Sequence, residues 1–362
     1  MLFETSAGEL AYLQDNSLVL KLPEGRRTLT TSWLNGGYNE DLEAIFNHMI
    51  PHRSHGASDL EGGSITEYLR IVADRLELEP DKASGMLTTA SMDNAVIVSD
   101  SFRGLEVTAI VTGGVEINGG RAGDTSSYYQ EDERFEPVGG TVNIILLIGA
   151  ELPAYSMTRA LMTATEAKSA ALQQLMAPSR YSSGIATGTG TDMIAVVADT
   201  TSPLKLTDAG KHSKLGELIG KCVLEAVTKA VGIQSDITPL SQRDMLVRLD
   251  RFGIDEARYW KVASTLEGEN KKTRFIEQLR KISKNPALGA ATVSVLHIID
   301  EVSWELIPEN AGRKAAFAIM RELPKVLDMD IEIPANELLN EYNSIIDNWI
   351  VVTSWIVKNT MS

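Results

Sequence analysis

The sequence is poor in the residues that form disulfides or hold zinc. It has one cysteine, Cys222, so no internal disulfide can form. Cys222 follows Leu218 at helical spacing in an apolar stretch, which favours a buried thiol that fills the core. Histidine occurs five times, and the paired-cysteine and H-E-x-x-H motifs of zinc sites are absent.

One histidine cluster is an alternative metal site. His48, His52 and His55 lie close together and are followed by Asp59. Pro51 interrupts the helix that would align His48 with His52, because proline breaks helical hydrogen bonding. We therefore predict no metal site.

Long apolar runs and a basic charge balance are also lacking. The longest apolar stretches, 144–150 and 349–357, are far shorter than the roughly 20 residues of a membrane span. The chain begins without a basic segment before an apolar run, unlike a secretory signal. With 34 Lys+Arg against 49 Asp+Glu, the net charge of −15 disfavours binding to nucleic acid or to an anionic membrane. We expect a cytoplasmic protein without either partner.

Three motifs of common enzyme families are missing. The glycine-rich segments lack the G-K-[ST] ending of a P-loop and the third glycine of a dinucleotide fingerprint. This removes ATP and NAD as default ligands. No G-x-S-x-G elbow selects a nucleophilic serine.

Hydropathy patterns predict a fold of the α+β or α/β class, with a mixed β-sheet core and packed helices over 1–234. Asp15-Asn16 is typical of a two-residue hairpin turn, and Ser64 with Glu67 forms a capping box at a helix start. A helix is also predicted from Asn39 to Pro51. The predicted strands are 9–14, 17–22, 26–34, 86–90, 95–98, 105–112, 141–148 and a pair around 184–198; further helices are 64–76, 153–175 and 212–231.

Residues 235–362 are predicted to form a separate all-α domain. Glycines become rare there, and prolines mark helix starts or stops. The domain carries no recognisable motif, and we consider it a module for interaction or homo-oligomer formation. The predicted helices are 241–251, 255–266, 271–283, 287–306, 312–328 and 335–357, and the prolines are 239, 286, 308, 324 and 334.

Five segments of the first domain combine glycine, threonine, asparagine and charge beside predicted buried strands. One of them belongs to a long polar stretch, 113–140, and a loop of that length is usually functional or disordered. We predict that the five converge on one cleft. They are NGGRAGD at 118–124, GGTVNIILLI at 139–148, TEAKSAAL at 165–172, TGTGTD at 187–192 and GKHSKLGELIG at 210–220.

Each segment has a functional and a structural interpretation. The amides of TGTGTD suit an oxyanion, although a strained hairpin has the same composition. Arg121 and Asp124 either bind a ligand or pair with each other. Lys168 shares a helix face with Thr165 and is paired, functional or solvated. His212 is a candidate base at a helix start, or a residue that caps the helix.

In their order and spacing, these segments resemble the adenosylcobinamide amidohydrolase family over about 28–232. The resemblance implies hydrolysis of the amide between the aminopropanol arm and the corrin ring of adenosylcobinamide. The products are adenosylcobyric acid and 1-amino-2-propanol. The corrinoid is a small-molecule substrate, and the residues demand no cofactor.

The implied chemistry needs an activated nucleophile and donors for an oxyanion. We expect Asp192, or alternatively Glu166 or Asp124, to activate water. Lys168 and the amides of 188–191 support the oxyanion, and His212 protonates the leaving amine. A rival mechanism uses a threonine nucleophile, Thr187, Thr189 or Thr191. The expected substrate-binding residues are Asn118, Arg121, Asp124, Thr141, Asn143, Thr187, Gly188 and Gly190.

Two other functions fit the same residues. One is an amidase or acyl transferase that acts on a different amide. The other is a corrinoid-binding protein without catalytic activity, in which the polar loops bind the ligand but do not cleave it.

Overall fold

The computed structural model describes residues 1–50, 59–126 and 140–361. The chain forms two compact units, Met1–Thr238 and Pro239–Ser362. The boundary predicted from the sequence, 234/235, falls at the end of a helix, Lys214–Ser235, that belongs to the first unit.

The first unit combines strands and helices, so the predicted mixed class is confirmed. Its helices are α1 (Ile65–Arg75), α2 (Ala154–Gln174) and α3 (Lys214–Ser235). Its strands are β1 (Phe3–Glu4), β2 (Leu10–Gln14), β3 (Ser17–Lys21), β4 (Arg26–Thr30), β5 (Gly37–Asn39), β6 (Ala44–Met49), β7 (Ala83–Thr88), β8 (Val96–Phe102), β9 (Leu105–Gly113), β10 (Gly119–Gly120), β11 (Val142–Ile148), β12 (Gly188–Thr189) and β13 (Met193–Asp199).

Within the described residues, two large sheets face each other. One has the order β1-β2-β3-β6-β7 and the other β5-β4-β13-β11-β9-β8. Alternate residues of β11 show the layering: Ile145 belongs to the core between the sheets, whereas Ile144 belongs to the core beneath α2 and α3. Because both faces of this strand are covered, its sequence is apolar apart from Asn143.

Local sequence signals determine several of these elements. Asp15 and Asn16 have φ values of 45° and 60°, and they join β2 to β3 as the predicted hairpin turn. The Ser64 hydroxyl accepts a hydrogen bond from the Glu67 amide and caps α1. The predicted helix over 153–175 is confirmed as α2, and Cys222 is fully buried in α3, as expected.

The predicted helix from Asn39 is wrong, because residues Ala44–Met49 form β6. This strand pairs antiparallel with β3 and parallel with β7. Phe46 and Leu69 of α1 both border Gly85, while Asn47 donates a hydrogen bond to Thr112 of the facing sheet. A short apolar segment buried on both faces has no period that separates strand from helix.

The strand pair predicted around 184–198 also forms differently. β12 pairs antiparallel with β10 in a separate two-stranded ladder, and β13 runs parallel to β11. The chain passes from β11 to β13 through α2, the kind of crossover that parallel strands require. As a result, the two loop segments that contain β10 and β12 meet beside the amino end of β13.

The second unit is helical in its described residues, and Trp349, Tyr259 and Phe275 are fully buried in its core. Pro286, Pro308 and Pro334 start helices as predicted, but Pro324 lies inside the last turn of a helix. The predicted helix 335–357 is divided in two. The helices are α4 (Met245–Leu249), α5 (Glu256–Ala263), α6 (Lys272–Ile282), α7 (Pro286–Ser303), α8 (Glu309–Val326), α9 (Ala335–Leu338) and α10 (Ile345–Asn359).

Across the described ranges of the chain, we find no helix with both the length and the apolar composition that a bilayer span requires.

Candidate active site

A cleft of about 750 Å³ lies next to the short ladder of β10 and β12. Three of the five predicted segments contribute to its wall: 118–124, 165–172 and 187–192. Its lining residues are Asn118, Gly120, Arg121, Ala122, Asp124, Thr125, Ser126, Thr165, Lys168, Ser169, Tyr181, Thr187, Gly188, Thr189, Gly190 and Thr191.

Backbone pairing fixes the two glycine-rich loops against each other. Gly119 is paired with Thr189 and Gly120 with Gly188. A side chain at Gly119 would have its Cβ 2.8 Å from the carbonyl oxygen of Val115, a distance that real Cβ atoms do not adopt. The glycines therefore allow a close backbone approach that positions 187–192 on the cleft wall.

A buried ion pair lies at the wall of the cleft, and Lys168 is the member that lines it. Lys168 extends from α2, and its Nζ donates a hydrogen bond to Oδ2 of Asp192. Both side chains are 8% exposed. The pair crosses Gly188, where an added Cβ would overlap Asp192 Oδ2 and lie 2.6 Å from Lys168 Nζ. Of the interpretations offered for Lys168, the structure supports a paired residue.

The Asp192 carboxylate accepts four hydrogen bonds. Oδ2 accepts from Lys168 and from the Thr189 amide at 2.9 Å, and Oδ1 accepts from the Val142 amide at 2.7 Å and the Thr189 hydroxyl at 2.7 Å. A carboxylate has about four lone-pair sites. In this arrangement Asp192 already accepts a hydrogen bond from the Thr189 hydroxyl. An incoming water would have to displace one of the four donors.

The three threonines of segment 187–192 have different partners. Thr187 Oγ1 accepts a hydrogen bond from the Ala122 amide at 3.0 Å. Thr191 Oγ1 donates to the Gly140 carbonyl at 3.1 Å. Of these three hydroxyls, that of Thr189 is directed at a carboxylate.

The backbone amides expected to support an oxyanion are partly engaged. The Thr189 amide donates to Asp192, and the Thr191 amide donates to Thr189 Oγ1 at 3.3 Å. Lys168 is a better donor, because its ammonium has three N–H groups and the ion pair uses one. The Lys168 ammonium therefore replaces these two amides as the candidate oxyanion donor.

Polar residues of segment 139–148 lie behind the cleft wall rather than on it. Thr141 Oγ1 donates to the Thr191 carbonyl at 2.7 Å. The Asn143 side-chain amide donates to the Leu87 carbonyl and accepts from the Met193 amide. Both are buried between strands, so they position the 187–192 loop instead of reaching a ligand.

Asn118 does line the cleft, and its Nδ2 donates to the Gly140 carbonyl at 2.6 Å. At the rim, the Arg121 backbone amide and the Ser179 hydroxyl donate to Asp124 Oδ2 at 2.8 and 2.6 Å. Burial opposes the ionisation of Asp124, but hydrogen bonds from Ser179, Ser182 and Arg121 outweigh it and lower its pKa. Asp124 thus holds the loop and is a weak base.

Two predicted catalytic residues lie outside this cleft. Glu166 forms an ion pair with Lys211 at 2.6 Å on a second cavity of about 650 Å³. His212 is exposed, and the neighbouring Ser213, not His212, caps α3 by accepting a hydrogen bond from the Gly216 amide. Segment 210–220 therefore does not join the three segments that line the cleft or segment 139–148 behind its wall, and the prediction of one common cleft is wrong for it.

The described residues contain no group of three His, Cys, Asp or Glu side chains placed to bind a metal. His48 lies in β6, with Nδ1 2.8 Å from the Ser17 hydroxyl and Nε2 3.0 Å from the Tyr68 hydroxyl. Of the alternative cluster, His52 and His55 fall outside the described residues.

Ser169 and Tyr181 are two of the cleft residues that were not predicted from the sequence. Ser169 follows Thr165 at i+4, and its hydroxyl donates to the Thr187 carbonyl at 3.0 Å; helical spacing from Thr165 would have identified it. Tyr181 lies in a loop, where its ring is close to Gly120. No periodicity marks such a position.

Comparison with known proteins covers the first unit. The model of the adenosylcobinamide amidohydrolase family matches residues 3–239. An uncharacterized protein of Methanocaldococcus jannaschii is 32% identical over 240 residues, which are 62% of this chain and 89% of the relative. An adenosylcobinamide amidohydrolase of Methanosarcina mazei is 28% identical over 229 residues, 61% of this chain and 94% of the relative. The chain belongs to the adenosylcobinamide amidohydrolase family.

Proposed function

We propose that this protein hydrolyses the amide that joins the aminopropanol arm of adenosylcobinamide to the corrin ring. The products are adenosylcobyric acid and 1-amino-2-propanol. The family match and the name of the M. mazei relative support this reaction. The observation that carries the proposal is the Lys168–Asp192 ion pair beside the Thr189 hydroxyl in the cleft wall.

The size and charge of the cleft suit a neutral amide on a polar arm. Its volume is in the range typical of small-molecule sites. Lys168 is neutralised by Asp192, and Arg121 donates its backbone amide to Asp124, so the described part of the wall has no surplus of the cations that a phosphate ligand favours. We expect the arm to enter the cleft and the macrocycle to remain at the mouth, where Arg121 and Ser126 are exposed.

The ion pair supplies two functions that amide hydrolysis requires. Lys168 Nζ donates to the amide oxygen and stabilises the negative charge that develops on it, as a donor held in place before the reaction does. Asp192 accepts the proton of the hydroxyl group that attacks the amide carbon. It then gives this proton to the nitrogen of the leaving amine. His212 has no part in this scheme, because it lies outside the cleft wall.

The test is mass spectrometry of adenosylcobinamide before and after incubation with the full-length protein. We expect adenosylcobyric acid and 1-amino-2-propanol in equal amounts. Asp192→Asn should abolish turnover, since the amide cannot accept the proton. Glu166→Gln is the matched control: it also replaces a carboxylate that is paired with a lysine, but outside the cleft.

Other results would contradict the proposal. Full turnover by Asp192→Asn would exclude Asp192 as the proton acceptor. Binding of adenosylcobinamide without product over hours would indicate a corrinoid-binding protein. Cleavage of simple amides but not of adenosylcobinamide would indicate an amidase with another substrate.

A further inference from the structure

We propose that Thr189 is the nucleophile, that hydrolysis passes through an ester between the corrinoid acyl group and Thr189, and that the protein consequently also transfers this acyl group to primary amines. The inference rests on the proposed function, because it concerns the same cleft and substrate.

The Thr189 hydroxyl is hydrogen-bonded to a group that can take its proton. Thr189 Oγ1 donates to Asp192 Oδ1 at 2.7 Å, a normal distance for an O–H···O hydrogen bond to a carboxylate. The other oxygen of the same carboxylate is bound by Lys168. A nucleophile bound to a base, with the base oriented by a third group, is the arrangement found in enzymes with activated hydroxyls.

The Thr189 hydroxyl is accessible to a substrate in the cleft. Thr189 belongs to the cleft wall and is partly exposed, so its oxygen can meet a carbonyl carbon in the cleft. A hydroxyl oxygen has two lone pairs. The Thr191 amide contacts one of them at 3.3 Å, which leaves the second for attack.

Water, Thr187 and Thr191 are less well placed than Thr189 to act as the nucleophile. Water has no vacant acceptor site on Asp192, because four donors already occupy its two oxygens. Thr187 and Thr191 bond to backbone groups and, for Thr191, to the hydroxyl of Thr141. Among the described residues, neither hydroxyl donates to a carboxylate.

The first half of the reaction forms the ester. Thr189 Oγ1 forms a bond to the amide carbonyl carbon while its proton passes to Asp192, and Lys168 donates a hydrogen bond to the oxyanion. The C–N bond then breaks as the nitrogen takes the proton from Asp192, releasing 1-amino-2-propanol and leaving the ester.

In the second half, water attacks the ester carbonyl and gives a proton to Asp192. The bond from carbon to Thr189 Oγ1 breaks, and that proton returns to the threonine. Adenosylcobyric acid leaves. A primary amine that replaces water in this step forms a new amide in the same way, with no oxidant or reductant.

The experiment uses the full-length protein with adenosylcobinamide, with and without hydroxylamine as the acceptor amine. We expect a hydroxamate of adenosylcobyric acid to accumulate at the expense of the free acid. A parallel incubation that starts from adenosylcobyric acid and hydroxylamine should form no hydroxamate in the same time. Mass spectrometry of a rapidly quenched reaction should show the added mass of the acyl group on the intact protein and, after digestion, on the peptide that contains Thr189.

Variants separate a nucleophile from a residue that only positions the loop. Thr189→Ala should lower hydrolysis and hydroxamate formation together, by about 10³-fold or more. Thr189→Ser keeps the hydroxyl and should recover much of both. Thr187→Ala is the matched variant in the same loop, and the ratio of hydroxamate to acid should be the same as in the wild type.

The outcomes distinguish this inference from the proposed function. If the protein releases adenosylcobyric acid, yet hydroxylamine captures nothing and Thr189→Ala keeps its turnover, Thr189 is not the nucleophile and the hydrolase stands. If adenosylcobinamide is not cleaved at all, the proposed function fails and this inference fails with it.

Discussion

The two units of the chain each bury a lysine in a different way. Lys168 of the first unit and Lys358 of the second are almost equally buried, at 6% and 8% exposed. Lys168 ends on the Asp192 carboxylate in a cleft wall. Lys358 donates to the Leu266 carbonyl at 2.6 Å and to Asn270 Oδ1 at 2.8 Å, and burial lowers its pKa.

The second unit also buries an ion pair. Arg251 binds Asp300 through two hydrogen bonds of 2.8 and 2.7 Å. Two parallel bonds of this kind hold a guanidinium and a carboxylate in one geometry. Buried charge therefore does not identify a functional site by itself. The difference is that the first unit places the Lys168–Asp192 pair beside the Thr189 hydroxyl and a cleft that can hold a ligand.

The largest expected effect comes from exchanging the two lysines for methionine. Lys168→Met should lower kcat by about 10³-fold, because it removes the donor that stabilises the developing oxyanion. Lys358→Met should leave kcat unchanged and lower the free energy of unfolding by about 1–3 kcal/mol, because it leaves buried acceptors unpaired. Turnover measured below both unfolding transitions checks the two results. Equal losses of turnover would remove the distinction between the units.

A smaller effect is expected from two glycines of one loop. At Gly188 an added Cβ would overlap the ion pair, whereas no heavy atom lies within 4 Å of a Cβ at Gly190. Gly188→Ala should therefore displace Asp192 from Lys168 and lower kcat by about 10²-fold, similar to the loss of one oxyanion donor. Gly190→Ala should act mainly on KM and much less on kcat. If the two variants have the same kcat, the ion pair has no role in turnover.

The units should also respond differently to acid. Burial, with a smaller contribution from Arg75, lowers the pKa of His48 in the first unit from 6.5 to about 4. The unfolded chain binds a proton on His48 more tightly than the folded chain does. The stability that comes from a neutral, buried His48 is therefore complete above pH 6.5 and is lost as the pH falls towards 4. The loss is about 3 kcal/mol in the free energy of unfolding.

Thermal unfolding from pH 7.5 to 4 tests this expectation. His48→Gln should be less stable at neutral pH but should lose the extra dependence on pH between 6.5 and 4. His297→Gln is the control in the second unit, where that side chain is 69% exposed. An unchanged slope in His48→Gln would show that other groups cause the acid sensitivity.

The sequence was informative where local chemistry decides the structure. The Asp15-Asn16 turn and the Ser64 cap follow from side-chain and backbone preferences, and they formed as predicted. Glycines and threonines correctly marked three segments of the cleft. The prediction failed for Ala44–Met49, where burial on both faces removed the strand period, and tertiary pairing determined the result.

Segment 210–220 shows why composition cannot assign every site residue. Gly216 lies so close to the Gly210 carbonyl that a Cβ would overlap it. These glycines serve the tight packing at the start of α3, not a ligand. The same composition in 187–192 permits the ion pair to cross Gly188, and the sequence contains no signal that separates the two uses.

The smallest expected effect is that of removing the second unit. The family model matches residues 3–239, close to the boundary of the first unit, and the two relatives are covered along 89% and 94% of their own length. Because the cleft residues all lie before Thr238, a chain that ends there should fold and retain the kcat of the full protein. Light scattering of both chains checks whether residues 239–362 contribute to a homo-oligomer. If the shortened chain is folded but inactive, residues 239–362 are required for turnover and the second unit is not purely structural.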